Sequence, residues 1–264
     1  MIYVDVHAHL DFPDVYSRID EVINNAKSAS VKAIITQGIT PETNNISLEL
    51  SKKYDIVYSA IGLYPIDAIS RESDEGIYPT DIKTFDIDEH ISWIQKKIKS
   101  NKKILAIGEV GLDYSHPKTD KKMQRSVFEK FIRLSEKTKK PLSIHSRKAE
   151  SDVLEMLECS SLKNPVVHCF SGKFRLAQKI ADNGWYFSIP TNIVRSSQFQ
   201  NMVDKIPLRQ IFTETDTPYL SPFKDKMNEP AYISEAVKKM AEIKKMTEED
   251  LSNQIYMNFQ KVFL

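Results

Sequence analysis

A chain of 264 residues suits one α/β barrel or two small domains. Its hydrophobic content of 41% supplies a sizeable core, but no apolar run approaches the roughly 20 residues of a membrane span. With 37 basic against 36 acidic residues the net charge is +1, so a nucleic-acid ligand would gain little long-range steering and would depend on local cations. The N-terminus enters a strand directly, without the basic, apolar and small-residue succession of a secretory signal. Cys159 and Cys169 form no C-x-x-C pair, and reduced thiols in a cytoplasmic protein are expected.

Ile2-Tyr3-Val4-Asp5-Val6-His7-Ala8-His9 reads as a first strand. Strand side chains alternate faces, so His7 and His9 project to one side. Two neutral imidazoles at a strand end suit a divalent metal. Residues 17–30 carry Ile19, Val22, Ile23 and Ala26 on one stripe and predict a helix. A strand at 32–37 precedes a helix at 41–54, with Thr40 as its cap and Pro41 at its first position. A third strand spans 56–61. Residues 67–86 are acidic and aperiodic, and are expected to form a surface excursion rather than a linker. Helix 87–100 leads to strand 104–108, which is followed by Glu109. A long helix at 120–138 precedes strand 142–144, which ends in His145. Helix 149–159 precedes strand 165–167, which ends in His168. Helix 173–183 is expected to stop at Gly184. Strands at 185–188 and 211–213 follow, the latter running into Glu214-Thr215-Asp216. Helices near 230–245 and 248–263 close the chain.

Eight strands, with a helix after nearly every one, predict a parallel (β/α)8 TIM barrel as a single domain over residues 1–264. An open doubly wound sheet is the alternative, but no Gly-x-Gly-x-x-Gly and no phosphate-loop lysine motif supports it.

Four of the six histidines stand at predicted strand ends, with Glu109 after strand four and Asp216 after strand eight. In a barrel these ends meet on one face. Four imidazoles and two carboxylates are enough ligands for two divalent ions. A lone His145 or His168 would more often be a hydrogen-bonded barrel histidine, and a lone Glu109 an ion-pair partner; the joint pattern is what points to a metal centre. His90 and His116 fall in a charged helix and a Pro-containing loop and are expected at the solvated surface.

The ordered motifs Val4-Asp5-Val6-His7-Ala8-His9-Leu10-Asp11, Ile107-Gly108-Glu109-Val110-Gly111-Leu112-Asp113-Tyr114, Ile144-His145-Ser146-Arg147, Val167-His168-Cys169-Phe170-Ser171-Gly172 and Glu214-Thr215-Asp216-Thr217-Pro218-Tyr219-Leu220 resemble the TatD family of metal-dependent deoxyribonucleases, within the amidohydrolase-like barrels. Asn228-Glu229-Pro230 and Asn258 ahead of Val262 and Phe263 fit as well, so the similarity runs almost the whole length. One stretch departs. Members of the family commonly carry Gly-x-His-Pro-His after the third strand, where this chain has Gly62-Leu63-Tyr64-Pro65-Ile66. Tyr64 keeps a hydroxyl that can reach a phosphate oxygen, and Ile66 keeps no polar group.

The resemblance implies hydrolysis of phosphodiester bonds in DNA, single-stranded or at ends, with 3′–5′ exonuclease action as one mode. It implies one ion held by His7, His9, Glu109 and Asp216, and a second held by Glu109, His145 and His168, with Glu109 bridging. Mixed His and carboxylate ligands accept Mg²⁺, with Mn²⁺ or Zn²⁺ as alternatives. Glu109 and Asp216 form the catalytic pair, with Asp216 orienting the water and taking its proton. Asp5 is assigned to the other side of the strand from His7 and His9 and given a supporting role. Tyr64, Arg147, Ser171 and Lys173 are candidate substrate contacts, and the backbone N–H groups at Ser171-Gly172 open a helix where an anion could sit. For Arg147 and Lys173 the reading as solvated loop charges stays open. Tyr219 and Phe170 are expected in the core rather than against a base. No membrane and no obligate protein partner is expected.

Two other functions share the pocket chemistry. An amidohydrolase-type enzyme on a small ester, lactone or cyclic amide commonly bridges its metals with a carboxylated lysine, and the strand-four motif has no lysine. A barrel that binds nucleic acid and uses metal only for stability would not need a free acid such as Asp216.

Overall fold

Eight parallel strands follow one another around a barrel in chain order. The computed structural model describes residues 1–69, 85–116 and 119–264. β1 (Tyr3–Ala8), β2 (Val31–Gly38), β3 (Val57–Ile61) and β4 (Ile104–Asp113) form one run. β5 (Leu142–Arg147), β6 (Val166–His168), β7 (Tyr186–Pro190) and β8 (Ile211–Glu214) form the other. The ring closes where the Asp216 N–H donates to the His7 carbonyl at 2.8 Å and the His9 N–H to the Thr217 carbonyl at 2.9 Å. The Thr213 hydroxyl donates to the Val4 carbonyl at 2.6 Å at the same seam. β1 and β4 are buried at every position, because one face lines the barrel and the other lies under helices.

The helices form where an apolar stripe can cover the sheet. α1 (Pro13–Tyr16) is a single turn, and α2 (Ile19–Ser28) buries Ile19, Val22, Ile23 and Ala26, the stripe read from the sequence. The expected helix at 17–30 is α2, shorter at both ends, and the single turn of α1 ahead of it was not expected. α3 (Pro41–Lys53) starts with a reciprocal cap in which the Thr43 N–H donates to the Thr40 hydroxyl and the Thr40 N–H to the Thr43 hydroxyl. α4 (Pro65–Ile69) takes up the start of the expected 67–86 excursion; most of that stretch lies outside the described residues. α5 (Ile87–Ser100) is capped by Asp86, and α6 (Lys121–Thr138) by Asp120. α7 (Glu150–Glu158) and α8 (Phe174–Asp182) follow, and Gly184 takes the left-handed turn (φ +76) beyond α8. α9 (Ser197–Lys205), capped by Ser196, was not expected and completes the alternation after β7. α10 (Ile233–Lys244) and α11 (Glu248–Phe263) close the layer.

β4 and β5 run further than expected, so Glu109 and His145 lie inside strands rather than just beyond them. Gly111 makes that possible. It adopts φ +143, and a Cβ there would stand 2.1 Å from the His145 carbonyl oxygen, so only glycine lets the two strands run side by side at the site. Among the described residues no helix is long and apolar enough to cross a membrane. Both cysteines are free.

Candidate metal centre

His7, His9, Glu109, His145, His168 and Asp216 meet at the end of the barrel where the strands finish. The five other than Asp216 are buried, and the Asp216 side chain is 16% exposed. Glu109 lies between two groups. Its Oε1 stands 2.9 Å from His145 Nδ1 and 2.9 Å from His168 Nε2, and these two nitrogens are 3.2 Å apart. Its Oε2 faces His7 Nε2 at 3.6 Å and His9 Nε2 at 3.5 Å. Asp216 Oδ1 completes the second group, 3.7 Å from His7 Nε2 and 3.5 Å from His9 Nε2. Donor atoms bound at about 2.0–2.2 Å to a common ion stand roughly 3–3.6 Å apart, and both groups fall near that spacing.

The donor set accepts a cation on a further ground. His7 Nε2 is buried and has no hydrogen-bond partner among the described residues. An orphaned imidazole nitrogen is costly unless a ligand takes its lone pair. The ring's other nitrogen is already engaged, with Nδ1 at 3.1 Å from the Ser143 hydroxyl, and this leaves Nε2 for an ion. The ligating atoms of His7, His9 and Asp216, and those of His7, Glu109 and His168, lie within 4.8 Å of one another.

Supports from other strands hold the rings. Asp113, on β4, has Oδ2 at 3.1 Å from His145 Nε2 and also accepts from the Tyr64 hydroxyl at 2.8 Å. Its backbone is pinned by Gln124, which donates to the Asp113 carbonyl at 2.9 Å and accepts from the Asp113 N–H at 2.8 Å. Glu214 approaches His168 Nδ1 at 3.8 Å, accepts from the Cys169 N–H at 3.0 Å and bonds the Ser188 hydroxyl. The sequence reading missed Asp113, Glu214 and Ser143. Asp113 and Glu214 lay inside quoted motifs, but with strand four expected to end at 108 nothing placed Asp113 on the same face as Glu109.

Charge follows this arrangement. Burial alone would raise the Glu109 carboxyl, but His168, His145 and His7 hold it well below the usual range. Burial likewise opposes the low value of Asp113, which the His145 and Ser115 bonds impose. His145 reaches about 9 despite burial, because Asp113 and Glu109 both favour its charged form. Glu214, by contrast, is driven well above the carboxylate range by burial and by Asp216.

Asp5 needs a correction. It shares the strand parity of His7 and His9, so facing does not separate it from them. What does is that its carboxylate is taken up by protein donors: the His7 N–H at 3.2 Å, the Thr215 N–H at 3.0 Å and the Thr215 hydroxyl at 2.5 Å. Burial raises its carboxyl to about 7. Its supporting role stands, for that reason.

The substrate candidates divide. Tyr64 gives its hydroxyl proton to Asp113, and its oxygen is 3.3 Å from His145 Nε2. Arg147, Ser171 and Lys173 are exposed at the mouth, with no side-chain bond to described residues. Phe170 is in the core against Phe187, as expected. Tyr219 is not: it is 43% exposed, because the turn after β8, closed by the Tyr219 N–H on the Asp216 carbonyl at 2.8 Å, carries the ring outward. Nor is His90 solvated. It is partly buried, stacks on Trp93 and sits 2.9 Å from Asn44 Nδ2, and burial lowers its pKa to about 4. His116 is partly buried.

A parallel barrel with this cluster at the strand ends defines a metal-dependent hydrolase of the TIM-barrel type. The family model for TatD related DNase matches residues 4–264, and the chain belongs to that family. It is 32% identical to YabD, a metal-dependent hydrolase of Bacillus subtilis, over 98% of each chain. It is also 32% identical to the human deoxyribonuclease TATDN3, over 98% of this chain and 94% of that one. Among solved structures, the TatD homologue YjjV of Escherichia coli superposes with a TM-score of 0.87 over 99% of this chain and 97% of that chain, at 23% identity. This last likeness speaks for the fold alone.

Proposed function

We propose that the protein is a deoxyribonuclease that uses two divalent ions to hydrolyse phosphodiester bonds in DNA. The observation that carries this is the division of the Glu109 carboxylate, one oxygen toward His145 and His168 and the other toward His7 and His9, which Asp216 also faces. A carboxylate so placed can serve two cations at once. His7, His9, Glu109 and Asp216 would hold one ion, and Glu109, His145 and His168 the other. Mg²⁺ fits the phosphate chemistry, and the imidazole-rich set also admits Mn²⁺ or Zn²⁺. Ions held there supply Lewis acidity, lowering the pKa of bound water toward about 7 and neutralising charge on the phosphate.

The chain's own groups do the rest. Asp216, the most exposed of the six, faces the mouth and stays ionised, since His9 and His168 hold its pKa down against burial. It orients the attacking water and takes its proton. Asp113 fixes the His145 ring so that Nδ1 points at Glu109, and Tyr64 fixes Asp113 in turn. Arg147 and Lys173, exposed at the rim, bind phosphates flanking the scissile one. The relative named deoxyribonuclease supports the choice of DNA.

The test is incubation of the metal-loaded protein with end-labelled single-stranded DNA. Cleavage should appear, and Asp216→Asn should keep the fold yet abolish turnover even at saturating metal. A product ladder shortening from the 3′ end would identify the exonuclease mode. No cleavage by protein with metal confirmed bound would overturn the reading.

A further inference from the structure

We propose that the loops after β1 and β8 carry a stacking subsite for unpaired bases of the strand held at the metal centre. This rests on the nuclease reading and deepens it, because it names an unpaired strand as the substrate form. Two exposed rings stand on one loop. Tyr219 is 43% exposed and Phe223 39% exposed, among the few large apolar side chains left open to solvent. Tyr219 lies three residues beyond Asp216, joined to it by the bond from its N–H to the Asp216 carbonyl. The ring therefore stands on the loop that leads away from Asp216.

Each ring is held in place by a less exposed partner. Tyr219 meets Phe12, from the loop after β1, edge to face at 5.7 Å between centroids. Phe223 meets Tyr232 edge to face at 5.0 Å. The loop that bears them is pinned from beneath by Asn228, which donates to the carbonyls of Thr215 and Tyr219, both at 2.7 Å. Rings fixed before binding lose little freedom when a base arrives.

A cation accompanies the rings. Lys226 Nζ lies 5.5 Å from the centroid of Phe223, and Lys224 is exposed beside it, with one carboxylate, Asp225, between them. Aromatic faces alternating with lysines match an unpaired strand, whose bases present π-faces and whose backbone presents phosphates. A blunt duplex keeps its bases stacked on one another and offers these rings nothing comparable. The strand would therefore run from the metal centre over Tyr219 toward Phe223.

The experiment measures binding and cleavage separately. A phosphorothioate oligonucleotide carrying a fluorescent adenine analogue is titrated against metal-loaded protein, so that binding is read without turnover. Tyr219→Ala and Phe223→Ala should each weaken single-strand binding by roughly tenfold and remove the fluorescence quench. Tyr219→Leu and Phe223→Leu keep the bulk without a π-face and should not restore it. In turnover assays the alanine variants should raise KM for the oligonucleotide and leave hydrolysis of bis(p-nitrophenyl) phosphate unchanged. Unchanged binding in both alanine variants, equal losses for blunt duplex, or rescue by leucine would each overturn the subsite. If the wild type cleaves neither substrate yet shows the quench and its loss in the variants, the nuclease reading falls and the subsite stands.

Discussion

The strand ends and the loops above them are built on opposite terms. At the strand ends the candidate ligands are buried or nearly so, and several side chains there are braced by a neighbour: His145 by Asp113, His7 by Ser143, and the supporting Asp5 by Thr215. At the rim Arg147, the last residue of β5, and Lys173, Tyr219 and Phe223, in the loops, reach into solvent, and the two cations have no side-chain hydrogen bond or ion pair among the described residues. The difference separates two tasks. Ions demand fixed donors at fixed spacing, which only a packed frame supplies. A polymer substrate is met by side chains that can adjust, and these sit where substitution does not disturb the core.

The comparison predicts a graded response. Glu109→Gln removes the charge both groups share, so turnover should fall by about 10³-fold or more with a loss of bound metal, read by kinetics and elemental analysis. Asp113→Ala frees the His145 ring without touching an ion and should cost about 10- to 100-fold in metal affinity or activity, with Asp113→Asn recovering part of it. Arg147→Ala should raise KM for the oligonucleotide by roughly 3- to 10-fold, leave kcat alone and lessen the salt dependence of binding. If Arg147→Ala proved as damaging as Asp113→Ala, the division between frame and rim would be wrong.

The frame should also be sensitive to acid. Asn44 holds both the N–H and the carbonyl of Gly62, at the end of β3, and bonds His90 as well. Burial lowers His90 to about 4 from an ordinary value near 6.5. The unfolded chain therefore binds the proton more readily, so this contribution to stability is full above about pH 6.5 and is lost as pH falls toward 4. Denaturant titrations across that window should show a pH slope that His90→Gln flattens.

Much of the architecture was legible in one dimension. Apolar runs of strand length marked all eight strands, and the stripe of Ile19, Val22, Ile23 and Ala26 marked a helix face, because period follows from backbone geometry alone. The six candidate ligands were legible as residue types recurring at strand ends. Asp113 and Glu214 were not, since a buried carboxylate bracing an imidazole looks in sequence like any strand-end acid. α9 was passed over because its apolar positions are few, Phe199, Met202 and Val203.

What the sequence by itself determined is the alternation of elements and the kinds of side chain available at each strand end. Only the tertiary structure decided which of these share a partner, which carboxylate oxygen faces which group, and that Tyr219 is exposed while Phe170 is buried. Those are distances between residues far apart in the chain, and they exist only once the barrel has closed at the seam between β8 and β1.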